Sequence, residues 1–123
     1  MDPMAVVEAW DRTLRAGDWQ AARSLLAADA MYSAPGTPED GGISCTTLDQ
    51  IVDLMRSWKG KLPDVEVVGW VAHDEHVLAR LRQPAFGDDA DWFQVLSVRA
   101  GLIARLEDHP TRESAVLALE RRA

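Results

Sequence analysis

Cysteine is almost missing from this chain. A single residue, Cys45, among 123 excludes an internal disulfide and any site built from several thiolates. Long apolar runs are missing as well, none approaching the ~20 residues of a spanning helix. The opening MDPMAVVEAW carries neither the basic start nor the cleavage site of a signal peptide. The expectation is a cytoplasmic protein with no membrane partner. Basic charge is scarce: thirteen Lys and Arg face twenty Asp and Glu, a formal charge of −7, and the cations are scattered. Nucleic acid is therefore excluded as a partner. Phenolic and phenyl side chains are few, one Tyr and two Phe, against five Trp. So much indole in a small domain implies a core and also a lined cavity.

What is present reads as one domain over residues 1–123, with no internal repeat and room for one core. Trp92 to His109, WFQVLSVRAGLIARLEDH, is a hairpin turning at Ala100-Gly101. Alternation sends Trp92, Gln94, Leu96 and Val98 to one face and Phe93, Val95, Ser97 and Arg99 to the other. On the second arm Leu102, Ala104, Leu106 and Asp108 oppose Ile103, Arg105 and Glu107. Upstream, Asp2-Pro3 starts a helix with Val7, Trp10 and Leu14 on its stripe, ending at Ala16-Gly17. Asp18 caps a second helix carrying Trp19, Ala22 and Leu26, and residues 29–33 form a short strand. Ala34 to Cys45, rich in Gly and Pro, is a loop. Thr47 with Gln50 is a capping-box start for a third helix bearing Leu48, Ile51, Met55 and Trp58, stopped by Gly60. A second hairpin follows, VEVVGWVA and HVLARLR about His73-Asp74-Glu75, then a loop from Pro84 to Asp91. Thr111 caps a short terminal helix through Leu119. Helices first and a four-stranded meander after them give an α+β domain, with a curved antiparallel sheet wrapped around three N-terminal helices and a short C-terminal helix.

Two stretches carry a resemblance. VVEAWDRTLRAGDWQAARSLLAADAMYSAPG and VRAGLIARLEDH resemble the nuclear-transport-factor-2-like superfamily, whose cystatin-like cone includes SnoaL-like polyketide cyclases, ketosteroid isomerases and limonene-epoxide hydrolases. The resemblance covers nearly the whole chain and implies a cone enclosing a hydrophobic pocket. Its isomerases carry a carboxylate before a proline after the first strand, where this chain has Ala34-Pro35. Their oxyanion tyrosine aligns with Trp10 and their protonated aspartate with Gln94, so that mechanism is not implied here. The epoxide hydrolases use an aspartate on the last strand, matched by Asp108, with an Arg-x-Asp that is Arg80-Leu81-Arg82 here. Alternation turns both arginines away from Val77, Ala79 and Leu81, to the surface or an interface.

Asp108 is the candidate catalytic residue, a general acid or base among apolar neighbours that would raise its pKa. Its alternative role is to cap the terminal helix at Thr111 or Arg112. Trp10, Tyr32, Trp92, Gln94, Leu96 and Leu106 are the candidate ligand-binding residues around it. Gln94 needs a partner that a ligand, a water or Tyr32 could supply. Trp19 and Trp58 read as core, and His109 as a rim residue unless the chain bends at Pro110. Cys45 lies beside a helix N-terminus, which lowers thiol pKa, but no base is tied to it and it reads as an inert small residue. HDEH at 73–76 is no metal site, because a hairpin turn splays those side chains, and nothing calls for a cofactor. Two functions stay open: an isomerase, cyclase or hydrolase acting on a small apolar substrate, or a non-catalytic ligand-binding or dimerisation module. A homodimer through the outer sheet face is expected, because Phe93, Val95 and Ile103 would otherwise face water.

Overall fold

The computed structural model describes residues 2–35, 42–84 and 91–122. Much of the two long loops expected from the sequence, residues 36–41 and 85–90, falls outside them. The order is α1 (Pro3–Ala16), α2 (Trp19–Ser24), β1 (Leu26–Ala34), β2 (Ile43–Cys45), α3 (Leu48–Lys61), β3 (Glu66–His73), β4 (His76–Arg82), β5 (Trp92–Arg99), β6 (Leu102–His109) and α4 (Arg112–Arg122). The fold is α+β, with helices first, one six-stranded sheet in the order β2-β1-β6-β5-β4-β3, and a terminal helix. All strand pairs are antiparallel except β1 with β6. Among the described residues no helix is long and apolar enough to cross a membrane.

The helix starts follow their local chemistry. Asp2 accepts from the Ala5 backbone at 2.9 Å with Pro3 in the first turn, and Gly17 closes α1 at φ 70. Asp18 accepts from the Ala21 backbone at 3.1 Å and starts α2. Thr47 and Gln50 form the full capping box of α3. Gly60 does not stop that helix, which runs to Lys61, because the cost of one helical glycine is small against the packing of its neighbours. Leu26, expected on the stripe of helix two, begins β1 instead, so that strand starts three residues before Asp29. Part of the expected 34–45 loop is β2, pairing Cys45 with Tyr32.

Three irregularities bend the sheet, between Leu26 and Met31, between Val67 and Gly69, and between Ser97 and Val98. Each adds curvature and twist. The third overturns an expectation. Ser97 pairs with Arg105 and Val98 with Ile103, leaving Ala104 unopposed, so Ile103 turns inward and is fully buried in the core. The rest of the expected outer patch is covered by the chain's own terminal helix: Ala115 and Leu119 pack on Leu78 and Val95, with Phe93 beside them. Glu107 and His109 lie under the start of that helix. His109 Nδ1 meets Ser114 Oγ at 2.7 Å and its Nε2 lies 3.4 Å from Glu107, which also pairs with Arg105 at 3.0 Å. His109 therefore anchors α4 on the outer face, away from the concave side.

Candidate functional site

Register places the inward residues of the meander in rows. One row runs Trp70, Ala79, Gln94 and Asp108 across β3, β4, β5 and β6. The row beside it runs Val77, Leu96, Leu106 and Tyr32, the last contributed by β1, and ends at exposed Ala72 on β3. Two rows of inward side chains on a bent sheet, faced by α1 and α3, enclose a cavity of about 590 Å³. That is within the ordinary size for a small-molecule site.

Asp108 is on the floor of this cavity, with only 8% of its surface exposed. The Tyr32 hydroxyl donates to its Oδ2, and Gln94 Nε2 donates to its Oδ1 at 2.9 Å. Burial pushes the carboxyl up to about 6, opposed by those two hydrogen bonds and by nearby His109. The Tyr32 phenol goes further up, through burial first and the adjacent carboxylate second, so it stays a protonated donor at any physiological pH. Its ring is fixed edge-on against Trp58 at 5.7 Å between centroids. Asp108 is not the cap of α4: Thr111 Oγ1 accepts from the Ser114 backbone at 3.2 Å and serves that end.

Of the ligand-binding candidates, Trp10, Trp92, Gln94 and Leu96 line the cavity. Tyr32 and Leu106 are fully buried behind its wall, where Tyr32 reaches Asp108 and Leu106 packs in the core. The partner of Gln94 is Asp108 itself. Two indoles escaped sequence reasoning. Trp58, read as core, and Trp70, left unassigned, both line the cavity, so four of the five tryptophans surround one space. Strict alternation sets Trp70 on the face opposite Val67, and only the register shift between Val67 and Gly69 brings both to the cavity, so the sequence alone held no signal for Trp70. For Trp58 the signal was its position one helical turn beyond Met55. At the rim are Asp11, Arg15 and Lys59. Arg15 Nε donates to Asp11 at 2.9 Å, and Lys59 Nζ donates to the Arg15 carbonyl at 2.7 Å, near the positive φ of Gly17.

Arg80 and Arg82 are on the opposite face, as alternation required. Both hold Asp91, at 2.5 and 2.8 Å, and their hydrogen bonds keep its carboxyl down at about 2. Cys45 sits as an inert small residue would, though not with the lowered thiol pKa expected beside a helix start. It is buried on β2, and burial raises its thiol pKa rather than a helix terminus lowering it.

A curved sheet closed by helices around an apolar cavity with one carboxylate at its floor defines the cone class. Residues 7–106 match the SnoaL-like domain, and the chain belongs to that family. Among curated proteins, none matches it significantly. The fold is similar to a nuclear-transport-factor-2-like protein of unknown function from Cytophaga hutchinsonii, with 12% identity, TM-score 0.68, and 94% of this chain and 96% of that one covered. It is similar to a proposed polyketide cyclase from Sinorhizobium meliloti, with 16% identity, TM-score 0.68, and 89% and 100% covered. A proposed ketosteroid isomerase from Kribbella flavida is similar at 22% identity and TM-score 0.64, with 86% and 75% covered. At these identities the likeness is one of fold.

Proposed function

We propose that the cavity binds a small apolar molecule and that Asp108 moves a proton on it, as general base and then general acid, in an isomerase, cyclase or hydrolase type of reaction. One observation carries this reading: a buried carboxylate on the cavity wall, held at both oxygens by neutral donors, with its pKa lifted to about 6. A base whose pKa lies near the working pH can both take and return a proton. Each carboxylate oxygen has a lone pair left after its hydrogen bond, and Asp108 lines the cavity where a substrate would meet it. Tyr32 and Gln94 are then positioning residues, while Trp10, Trp92 and Leu96 contact the ligand.

The second reading, a binding module, is favoured by the rim. The other carboxylate among the described lining residues, Asp11, is tied to Arg15, so Asp108 has no acid–base partner beside it there. The two readings part in Asp108→Asn, assayed against cyclisation and isomerisation substrates of the family and by ligand titration. The amide can still accept from Tyr32, and a flipped Gln94 can accept from its N–H, so the fold should persist. Catalysis predicts a loss of turnover of roughly 10²-fold or more with binding retained. Unchanged turnover would sink the catalytic reading and leave the binding module. A cytoplasmic homodimer remains part of the proposal, now resting on exposed Val68 and Val71 of edge strand β3. Sedimentation showing only a 13.6 kDa species would end it.

A further inference from the structure

The charged rim of the cavity and its indole walls favour one kind of occupant. Trp10, Trp58, Trp70 and Trp92 give it flat aromatic faces, which suit a planar ring system better than a branched aliphatic one. Polarity is segregated along the cavity. The floor carboxylate is 8% exposed, whereas the Arg15 side chain at the rim is 51% exposed. Two cations, Arg15 and Lys59, stand at that rim against one carboxylate, Asp11, on a chain whose formal charge is −7. The hydrogen bond from Arg15 to Asp11 uses Nε, which leaves the two terminal guanidinium nitrogens as donors. Lys59 gives one proton to the Arg15 carbonyl and has two more. A local excess of positive charge on an acidic protein attracts anions to this opening rather than to the surface at large.

We propose that the cavity selects a planar aromatic amphiphile bearing one acidic group, with its rings among the tryptophans and its anion at Arg15 and Lys59. This rests on reading the cavity as the ligand site and is independent of whether Asp108 performs chemistry. It makes Arg15 and Lys59 specificity residues for an apolar ligand with an acidic end, and Asp11 a residue that opposes them.

The test uses two dyes with the same ring system, 8-anilinonaphthalene-1-sulfonate and its uncharged counterpart N-phenyl-1-naphthylamine, titrated against the intact protein and followed by energy transfer from tryptophan. The anion should bind more tightly, and the gap should shrink with salt. Arg15→Gln and Lys59→Gln should each cost the sulfonate roughly three- to fivefold in affinity and leave the neutral dye unchanged. Asp11→Asn should tighten the sulfonate by a similar factor. Melting curves on each variant separate loss of fold from loss of charge. Equal binding of the two dyes, or a preference that survives both cation substitutions, overturns the proposal. If neither dye binds, or Trp70→Ala leaves both unaffected, the cavity reading itself fails along with it. If the dye preference holds while Asp108→Asn leaves turnover intact, only the catalytic reading fails.

Discussion

Tyr32→Phe removes one hydroxyl from the floor of the site and leaves the ring against Trp58. The hydroxyl donates to a carboxylate when Asp108 is ionised and makes a weaker bond when it is protonated. The difference between a charged and a neutral hydrogen bond is about 1.5 kcal/mol, or roughly one pKa unit. Tyr32 holds the Asp108 carboxyl down, so its loss should move that group from about 6 to roughly 7. The consequence for stability follows by linkage. A carboxyl whose value is raised on folding binds its proton more tightly in the native state. Its contribution is fully present below the ordinary value of 3.8 and is lost as pH rises through about 6. In the variant that loss continues to roughly pH 7, so the substitution should cost about 1.4 kcal/mol more at pH 8 than at pH 5. Urea unfolding of both proteins at the two pH values reads this directly, and the three histidines cancel in the comparison. A cost that is the same at pH 5 and pH 8 would refute the coupling between hydroxyl and carboxylate.

Three other substitutions probe separate parts of the account. Asp108→Asn should abolish the stability lost between about pH 4 and pH 6, roughly 3 kcal/mol in the parent, and a variant with the same pH slope there would contradict the assignment. Ala100 sits at φ 53 beside Gly101 at φ 78, a turn that suits Asn-Gly. Ala100→Gly should therefore raise stability by about 0.5–1 kcal/mol, seen as a higher urea midpoint at constant slope. Leu106→Ala should cost about 2–5 kcal/mol in unfolding experiments because the residue is fully buried, with dye binding retained in the folded fraction.

The fold was legible in the sequence wherever one local rule acted alone. Asp2-Pro3, Asp18 and the Thr47–Gln50 box marked helix starts correctly, and alternation aimed Gln94 and Asp108 to the same side. Legibility failed where pairing changed the count. A strict two-residue period turned Ile103 outward, and only the unopposed Ala104, a property of the β5–β6 register, turns it in. The covering of Val95 by α4 was hidden for a related reason: a terminal helix shows its own caps but not the strand it docks on. At the site, sequence reasoning set the amide and the phenol around the carboxylate but did not bond them to it. Their assembly into one hydrogen-bonded group needed β1 to lie parallel to β6, a contact between residues 76 positions apart. Cys45 shows the same limit in reverse, since its nearness to a helix start said nothing of its burial on β2.

The central claim is that the buried carboxyl of Asp108 faces the cavity and exchanges its proton near neutral pH. The most direct measurement is a ¹³C NMR titration of the aspartate side-chain carboxyls, with Asp108 assigned by the signal that disappears in Asp108→Asn. The account predicts a midpoint near 6 for Asp108, above the ordinary carboxylate value of 3.8. A midpoint at or below that ordinary value would contradict it.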